Sequence, residues 1–199
     1  MTTGLFGGSF NPIHTGHTAL GEWLVHHHYV DELWFLVSPQ NPLKPAKGLL
    51  GDEARLRLAR LAVEDVCCSS LRVSDFEFHL PRPSYMVYTL EQLREAYPDC
   101  DFVLVIGADN WLRFPQWYQA EEILRHHRLL VYPRPGYDID EMTLPDGVRM
   151  IHTPLYDISS TQIREVMAHD PDYDGRGLSP RVWETICREH LYSLACQKM

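Results

Sequence analysis

The chain has 199 residues, of which 45% are hydrophobic and 23% are charged, a composition that suits one globular domain with a buried core. Its formal net charge is −9 and its Lys and Arg residues form no block, which argues against a protein that binds nucleic acid. No apolar run approaches the roughly 20 residues that a membrane span needs, so we expect no membrane association.

The N-terminus and the cysteines bear on the compartment. MTTGLFGGSF has neither a basic start nor a long apolar stretch, so we expect no signal peptide. The five cysteines are odd in number and include no C-x-x-C pair. We therefore expect reduced thiols, no metal site built from cysteine, and a cytoplasmic protein. The sequence leaves open whether the chain forms a homo-oligomer.

Short apolar segments alternate with helical patterns along the chain. The patterns predict strands at 3–7, 32–38, 71–78, 101–107, 128–134 and 148–153. They predict helices at 17–28, 51–66, 84–97 (where a loop turns into a helix), 159–169 and 180–190. Proline and glycine predict surface loops at 38–48 and 134–147.

This order predicts an α/β fold of the Rossmann-like, doubly wound kind, with a mostly parallel sheet and helices on both faces. We expect one domain over residues 1–199, with a small helical part from about residue 157 to 199. Ligands of such sheets bind at the carboxyl ends of the strands. Two motifs of the chain fall at such strand–helix junctions.

The first motif is GGSFNPIHTGH, from Gly7 to His17. Its glycines follow a strand and let phosphates approach the backbone, and Thr15 is a candidate cap of the next helix. His14 and His17 then flank a helix N-terminus, where free N–H groups favour anions. The pattern is neither a Walker A loop nor G-x-G-x-x-G. Taken alone, it fits a phosphate site and an ordinary strand–turn–helix equally well.

The second motif is DISSTQIR, from Asp157 to Arg164. Ser159, Ser160 and Thr161 open a helix, and each of them can cap it. Arg164 lies on the first turn, within reach of the same anion. Taken alone, this is equally an ordinary N-cap with a surface arginine. Because two such junctions on one parallel sheet can face one polyphosphate, the motifs together predict a triphosphate site.

GGSFNPIHTGH and ISSTQIR together resemble the paired signatures H-x-G-H and I-S-S-T-x-I-R of a nucleotidyltransferase superfamily. Within it, the chain looks like the bacterial nicotinate-nucleotide adenylyltransferases over nearly its whole length. SYMVYTLEQL, IGADNWLRFPQWY and LLVYPRPG are similar to further segments of that family. The resemblance implies one nucleotidyltransferase domain that transfers AMP from ATP to nicotinate mononucleotide. The products are deamido-NAD and pyrophosphate, in NAD biosynthesis.

The resemblance also implies roles for individual residues, with Mg²⁺ bridging phosphate oxygens and no residue assigned as its ligand. It makes the catalytic residues His14, His17 and Arg164, of which His17 is the first choice for stabilising the transition state. It places ATP against Gly7, Gly8, Ser9, Phe10, His14, His17, Lys44, Gly107, Asp109, Arg134, Ser159, Ser160, Thr161 and Arg164. It places nicotinate mononucleotide against Ser84, Tyr85, Thr89 and Trp117, with the indole stacked on the pyridine ring.

The chain departs from the family pattern in the loop that reads NPLK where P-P-H-K is usual. Met86 and Tyr88 also stand where Thr and Asp are frequent. Plainer roles stay open for three residues: a helix cap for Asp109, a core position for Trp117 and a solvated loop charge for Lys44. The alternative functions are an adenylyltransferase for nicotinamide mononucleotide or phosphopantetheine, and a nucleotide-binding regulator without turnover.

Overall fold

The computed structural model describes residues 1–40 and 48–192. Its strands are β1 (Thr2–Gly8), β2 (Glu32–Val37), β3 (Leu71–Ser74), β4 (Asp101–Gly107), β5 (Arg128–Tyr132) and β6 (Val148–Met150). Its α-helices are α1 (Thr15–His26), α2 (Asp52–Val66), α3 (Met86–Ala96), α4 (Ala108–Trp111), α5 (Ala120–His126), α6 (Ser160–His169) and α7 (Pro180–Arg188). Short 3-10 helices lie at Phe76–His79, Phe114–Gln116 and Glu141–Thr143.

The strands form a parallel sheet in the order β3-β2-β1-β4-β5-β6. The chain runs outward from β1 to β3 and then returns to the other side of β1 at β4. The strand order therefore reverses between β1 and β4, which is where doubly wound sheets bind their ligands. This sheet confirms the predicted Rossmann-like α/β fold.

Helices cover both faces of the sheet. Successive side chains of a strand point to opposite faces, so apolar strands give each face a surface that helices bury. Phe6 of β1 belongs to a core that also contains Leu20 of α1 and Val182 of α7. Leu5, its neighbour in the chain, belongs to a second core that contains Leu93 of α3. No helix in the described part of the chain is long and apolar enough to cross a membrane.

The third strand is shorter than the sequence predicts. Residues 71–78 were expected to be a strand, but β3 ends at Ser74 and a 3-10 helix follows at Phe76–His79. The hydroxyl of Ser74 accepts a hydrogen bond from the main-chain N–H of Phe76 at 3.2 Å, which turns the chain out of the sheet. The turn carries Glu77 into the protein, where it is 1% exposed.

The remaining differences lie at element ends and in short helices. The predicted strand 148–153 is paired only at Val148–Met150, and α4 and α5 were not predicted. Helices of four and seven residues give too few turns for a periodic pattern to stand out. α6 and α7 contribute Ile163, Val182 and Ile186 to the core that contains Phe6.

Candidate active site

Two cavities open at the carboxyl end of the sheet, on either side of the end of β1. One has a volume of about 400 Å³ and is called here the motif cavity, because both sequence motifs line it. The other has a volume of about 390 Å³ and is called the aromatic cavity, after Tyr85, Trp117 and Tyr118 in its wall. The two share wall residues, which are Phe6, Gly7, Gly8 and Asn110. Ligands in the two cavities would therefore meet above the end of β1.

The motif cavity brings together most of the residues that the resemblance assigns to ATP. Its wall includes Gly7, Gly8, Ser9, Phe10, His14, His17, Asp109, Arg134, Ser159, Ser160, Thr161 and Arg164. Gly107 lines the aromatic cavity instead. Lys44 lies outside the described residues, so its predicted role stays a prediction.

His14 and His17 stack on each other at the start of α1. Their ring centroids are 3.6 Å apart with planes inclined by 23°. His14 is the N-cap of α1, so the expectation that Thr15 caps this helix was wrong. The main-chain N–H of His14 donates to Nδ1 of His17 at 3.1 Å. A ring nitrogen that accepts carries no proton, so neutral His17 carries its proton on Nε2.

His14 is nearly buried and holds no charge at neutral pH. Its side chain is 4% exposed, and its Nδ1 has no hydrogen-bond partner among the described residues. Burial, with a smaller contribution from the charge of Arg134, lowers the pKa of His14 to about 3. The positive charge of the motif cavity therefore comes from arginine rather than from this imidazole. Arg134 and Arg164 are the arginines on its described wall.

The second motif is attached directly to the loop of the first. Arg164 donates a 2.6 Å hydrogen bond to the main-chain carbonyl of Asn11, and its other terminal nitrogen donates to the hydroxyl of Thr161 at 3.2 Å. Ser160 donates to the main-chain carbonyl of Pro12 at 2.8 Å. Ser159 caps α6 by accepting from a main-chain N–H in the first turn. The N-terminus of α6 is thus fixed beside the N-terminus of α1.

Arg134 and Asp109 face each other across the ends of β4 and β5. Their Nε and Oδ1 atoms are 3.7 Å apart, and both side chains are about one-third exposed or less. Asp109 follows Gly107 on α4, whose N-cap is that glycine, so the aspartate does not cap the helix. The pair holds one arginine at the rim of the motif cavity.

The aromatic cavity contains three of the four residues assigned to nicotinate mononucleotide. Ser84, Tyr85 and Trp117 line it, whereas Thr89 is fully buried and does not. The Thr89 hydroxyl donates to Oε1 of Glu77 at 3.0 Å. Thr89 thus lies behind the cavity wall, in contact with Glu77, and its predicted place against the nucleotide stays a prediction.

The helix α3 begins at the wall of the aromatic cavity without a side-chain cap. Its N-cap residue is Tyr85, an aromatic residue that supplies no oxygen to the first turn. Free N–H groups and the helix dipole at this end favour a carboxylate. Met86 packs beside Gly7, where a Cβ atom would lie 3.1 Å from the methionine methyl group. The methionine is thus accommodated by a glycine, which explains how this departure from the family pattern fits.

Tyr88, the other departure, does not line the aromatic cavity but contacts two tyrosines that do, Tyr85 and Tyr118. Its hydroxyl donates to that of Tyr118 at 3.3 Å, and the rings of Tyr85 and Tyr118 lie 4.8 Å apart. Tyr118 is the neighbour of Trp117 in the chain. These contacts hold the segment with the indole against the start of α3.

Sequence reasoning missed Arg55, a fully buried arginine on α2. All five of its N–H donors are used: they bind the carbonyls of Leu50, Ser9, Ser38 and Pro39 and the carboxylate of Asp52. Ser9 lines the motif cavity and Ser38 the aromatic cavity, so one guanidinium holds a wall of each. The available signal was its place three and four residues before the apolar Leu58 and Ala59.

Asn11 and Glu77 were missed as well. Oδ1 of Asn11 accepts from the main-chain N–H of Leu50 at 3.1 Å and from the hydroxyl of Tyr192 at 2.6 Å. Its Nδ2 donates to the carbonyl of Gly48 at 3.0 Å. Asn11 lies inside the first motif, but its type and position indicate no role there. Glu77 gave no signal, because it was assigned to a strand that ends three residues earlier.

The described residues contain no group of three or more His, Cys, Asp or Glu side chains that could hold a metal ion. A metal in the motif cavity would therefore need most of its ligands from elsewhere. Phosphate oxygens and water meet this need for Mg²⁺, which keeps several waters when it binds to proteins.

Comparison with known proteins identifies the family of the chain. The sequence model of the cytidylyltransferase-like family matches residues 5–166. A Bacteroides thetaiotaomicron protein named as a probable nicotinate-nucleotide adenylyltransferase is 53% identical over 96% of this chain and 93% of its own. A Porphyromonas gingivalis protein of the same name is 42% identical over 86% of this chain and 87% of its own. The chain belongs to the nicotinate-nucleotide adenylyltransferase family.

A solved structure shares the fold of this family member at low sequence identity. It is a Plasmodium falciparum nicotinic acid mononucleotide adenylyltransferase complexed with NaAD. The two superpose with a TM-score of 0.81 and 20% identity, over 96% of this chain and 97% of the other. At that identity the likeness supports the fold alone.

Proposed function

We propose that the protein transfers AMP from ATP to nicotinate mononucleotide, releasing pyrophosphate and deamido-NAD. The observation that carries this proposal is the shared wall of the two cavities at the end of β1. One cavity offers helix N-termini, imidazoles and arginines for a triphosphate. The other offers an indole and an uncapped helix start for a pyridine ring and its carboxylate.

The chemistry is an in-line displacement at the α-phosphorus of ATP. An oxygen of the 5′-phosphate of nicotinate mononucleotide forms the new P–O bond, and the bond to the pyrophosphate oxygen breaks. The attacking phosphate is already ionised, so the step requires no general base and no covalent intermediate. Catalysis then consists of holding the two substrates in line and stabilising the charge on the transferred and departing phosphates.

The motif residues take roles that follow from their positions. Nε2–H of His17 donates to the α-phosphate at the N-terminus of α1. Arg164, with the hydroxyls and main-chain N–H groups at the start of α6, binds the departing pyrophosphate. The neutral His14 keeps His17 in its orientation through the stacked rings and the main-chain hydrogen bond. Arg134 holds charge near the adenosine side of the cavity.

Mg²⁺ bound with ATP would supply neutralisation of phosphate charge, and it would need no cluster of side-chain ligands from the described residues. The carboxylate on the described wall of the motif cavity is that of Asp109, and it already faces Arg134. This pairing favours phosphate oxygens over the aspartate as ligands of the metal.

The proposal is tested by incubating the protein with ATP and Mg²⁺ and each of three acceptors. These are nicotinate mononucleotide, nicotinamide mononucleotide and phosphopantetheine, with pyrophosphate release measured and the dinucleotide product identified by mass. We expect the highest kcat/KM with nicotinate mononucleotide. A higher kcat/KM with either other acceptor would assign the protein to that substrate, and no turnover with any of them would leave a nucleotide-binding regulator.

A further inference from the structure

The aromatic cavity contains no cationic side chain on its described wall. Its polar side-chain groups are hydroxyls, the amides of Asn110 and Gln116, the indole N–H of Trp117 and one carboxyl group, that of Glu77. If the cavity binds a nicotinate ring, as proposed above, the negative carboxylate of that ring comes close to the carboxyl group of Glu77. When Glu77 is ionised, it carries the same negative charge. A buried like-charge pair is unfavourable unless one member is protonated.

Glu77 is positioned to interact electrostatically with such a substrate. It is 1% exposed, and it reaches the cavity from the 3-10 helix that follows β3. Its Oε1 accepts from Thr89 at 3.0 Å, while Oε2 has no hydrogen-bond partner among the described residues. The hydroxyl of Ser84, beside the start of α3, is buried too and makes no hydrogen bond of normal geometry within the described part of the chain, although it faces Glu77 closely enough to affect its pKa. Two buried polar atoms with hydrogen-bonding capacity to spare thus lie next to the helix end that favours a carboxylate.

We propose that Glu77 determines the choice between the acid and the amide nucleotide. With a proton on its carboxyl group, Glu77 tolerates the nicotinate carboxylate and has an O–H to donate. As a carboxylate, it repels that substrate and accepts hydrogen bonds, which suits the amide N–H₂ of nicotinamide. This inference rests on the function proposed above and adds a selectivity residue to it.

Burial and neighbouring hydroxyl groups, rather than charged side chains, shift the pKa of Glu77. The groups that face it are the hydroxyls of Ser38 after β2, Ser84 before α3 and Thr89 on α3. Burial raises the pKa of Glu77, and hydrogen bonding from these hydroxyls works against the rise. No charged side chain of the described residues contributes to the pKa.

Three charged groups on the neighbouring elements are engaged elsewhere. Asp75, at the start of the same 3-10 helix, pairs with Arg60 of α2. Arg82, before α3, pairs with Asp52. Arg55 of α2 has all five donors filled.

The test is the ratio of kcat/KM for nicotinate mononucleotide to kcat/KM for nicotinamide mononucleotide, measured between pH 6 and pH 9. The two substrates share the same 5′-phosphate, so its titration cancels in the ratio, and so does the fraction of folded enzyme. In the wild type we expect the ratio to fall by about tenfold as the pH rises, because ionised Glu77 opposes the acid. Glu77→Gln keeps a neutral group of the same shape, so its ratio should not change with pH.

Glu95→Gln, an exposed change on α3, is the matched control and should follow the wild-type profile. A Glu77→Gln ratio that falls with pH as in the wild type would overturn the inference, as would a wild-type ratio that does not change. Both failures leave the transfer reaction itself intact. The proposed function fails separately, if the wild type uses neither pyridine nucleotide.

Discussion

Ile158, just before α6, packs so closely on Gly16 of α1 that a Cβ atom on Gly16 would overlap its Cγ2 methyl group. The same isoleucine lies against Gly177, whose φ of +85° is one that L side chains rarely adopt. The isoleucine of the second motif is therefore held between a glycine of the first motif and a glycine before α7. This contact, with the bonds of Arg164 and Ser160, makes one unit of two segments that lie far apart in the chain.

Gly16→Ala should destabilise the protein although alanine is the better helix former. Propensity alone would favour alanine by about 0.5–1 kcal/mol in a helix. The overlap with Ile158 costs about 1–3 kcal/mol, as overpacking usually does, and moves the start of α6. We expect a lower Tm in a thermal melt and a lower kcat in the pyrophosphate assay.

Gly51→Ala is the control for this change, because a Cβ atom at Gly51 meets nothing within 4 Å. Gly51 is the N-cap of α2, where glycine is preferred to alanine, so the Tm of Gly51→Ala should fall only slightly and less than that of Gly16→Ala. A Tm for Gly16→Ala equal to or above the wild-type value would mean that Ile158 moves aside freely, and that the two motifs are not locked together.

His17→Ala should remove turnover while the fold survives. Its Nε2–H is the donor assigned to the α-phosphate, and loss of one such donor costs about 10²–10³ in kcat. The ring also packs edge-on against Phe6 and Phe10, so a modest fall in Tm should accompany the change. His26→Ala, at the exposed end of the same helix, should leave kcat unchanged. Turnover close to that of the wild type would remove His17 from its role.

Arg55→Lys should destabilise the protein and weaken the binding of both substrates, although the positive charge is kept. A lysine ammonium cannot reach all five acceptors that the guanidinium fork serves. Breaking a buried, fully bonded ion pair costs about 3–5 kcal/mol, which urea unfolding would detect. The KM for ATP and that for nicotinate mononucleotide should rise together, because Arg55 holds a wall of each cavity. Arg57→Lys, two residues on and exposed, is the control; a rise in only one KM would contradict the shared role.

His14 should make the protein less stable in mild acid. Its pKa is lowered in the folded state to about 3, so between about pH 6 and pH 3.5 the unfolded chain binds a proton that the native protein does not. Stability then falls as the pH falls, by about 1.4 kcal/mol per pH unit from this group. His14→Asn removes the effect, so its unfolding free energy should depend less on pH between about 6 and 4. Parallel wild-type and variant curves would show that His14 titrates normally.

The sequence predicts the sheet well where strands are buried on both faces, because a short, continuous apolar run between turn residues is typical of a central parallel strand. Residues 101–107, for example, form β4 as predicted. The prediction fails where one side chain redirects the backbone, as the Ser74 hydroxyl does at the end of β3. The motifs predict which residues meet in the motif cavity, since helix starts follow strand ends in this fold.

The sequence could not predict which residues of the site are buried. Thr89 and Glu77 share one hydrogen bond, and the sequence does not show that the threonine is fully buried or that the glutamate lines the aromatic cavity. Arg55 looks like one more charged residue of an amphipathic helix. Its five acceptors come from separate parts of the chain, which only the folded structure brings together.

The wall shared by the two cavities matters for inhibitor design. A single compound that passes over Gly7 and Gly8 would occupy both cavities, and its second half would bind at the high effective concentration set by the first. Because Arg55 holds a wall on each side, the spacing that such a linker must span is fixed before the compound arrives. A rigid linker of matched length should therefore gain affinity over a flexible one.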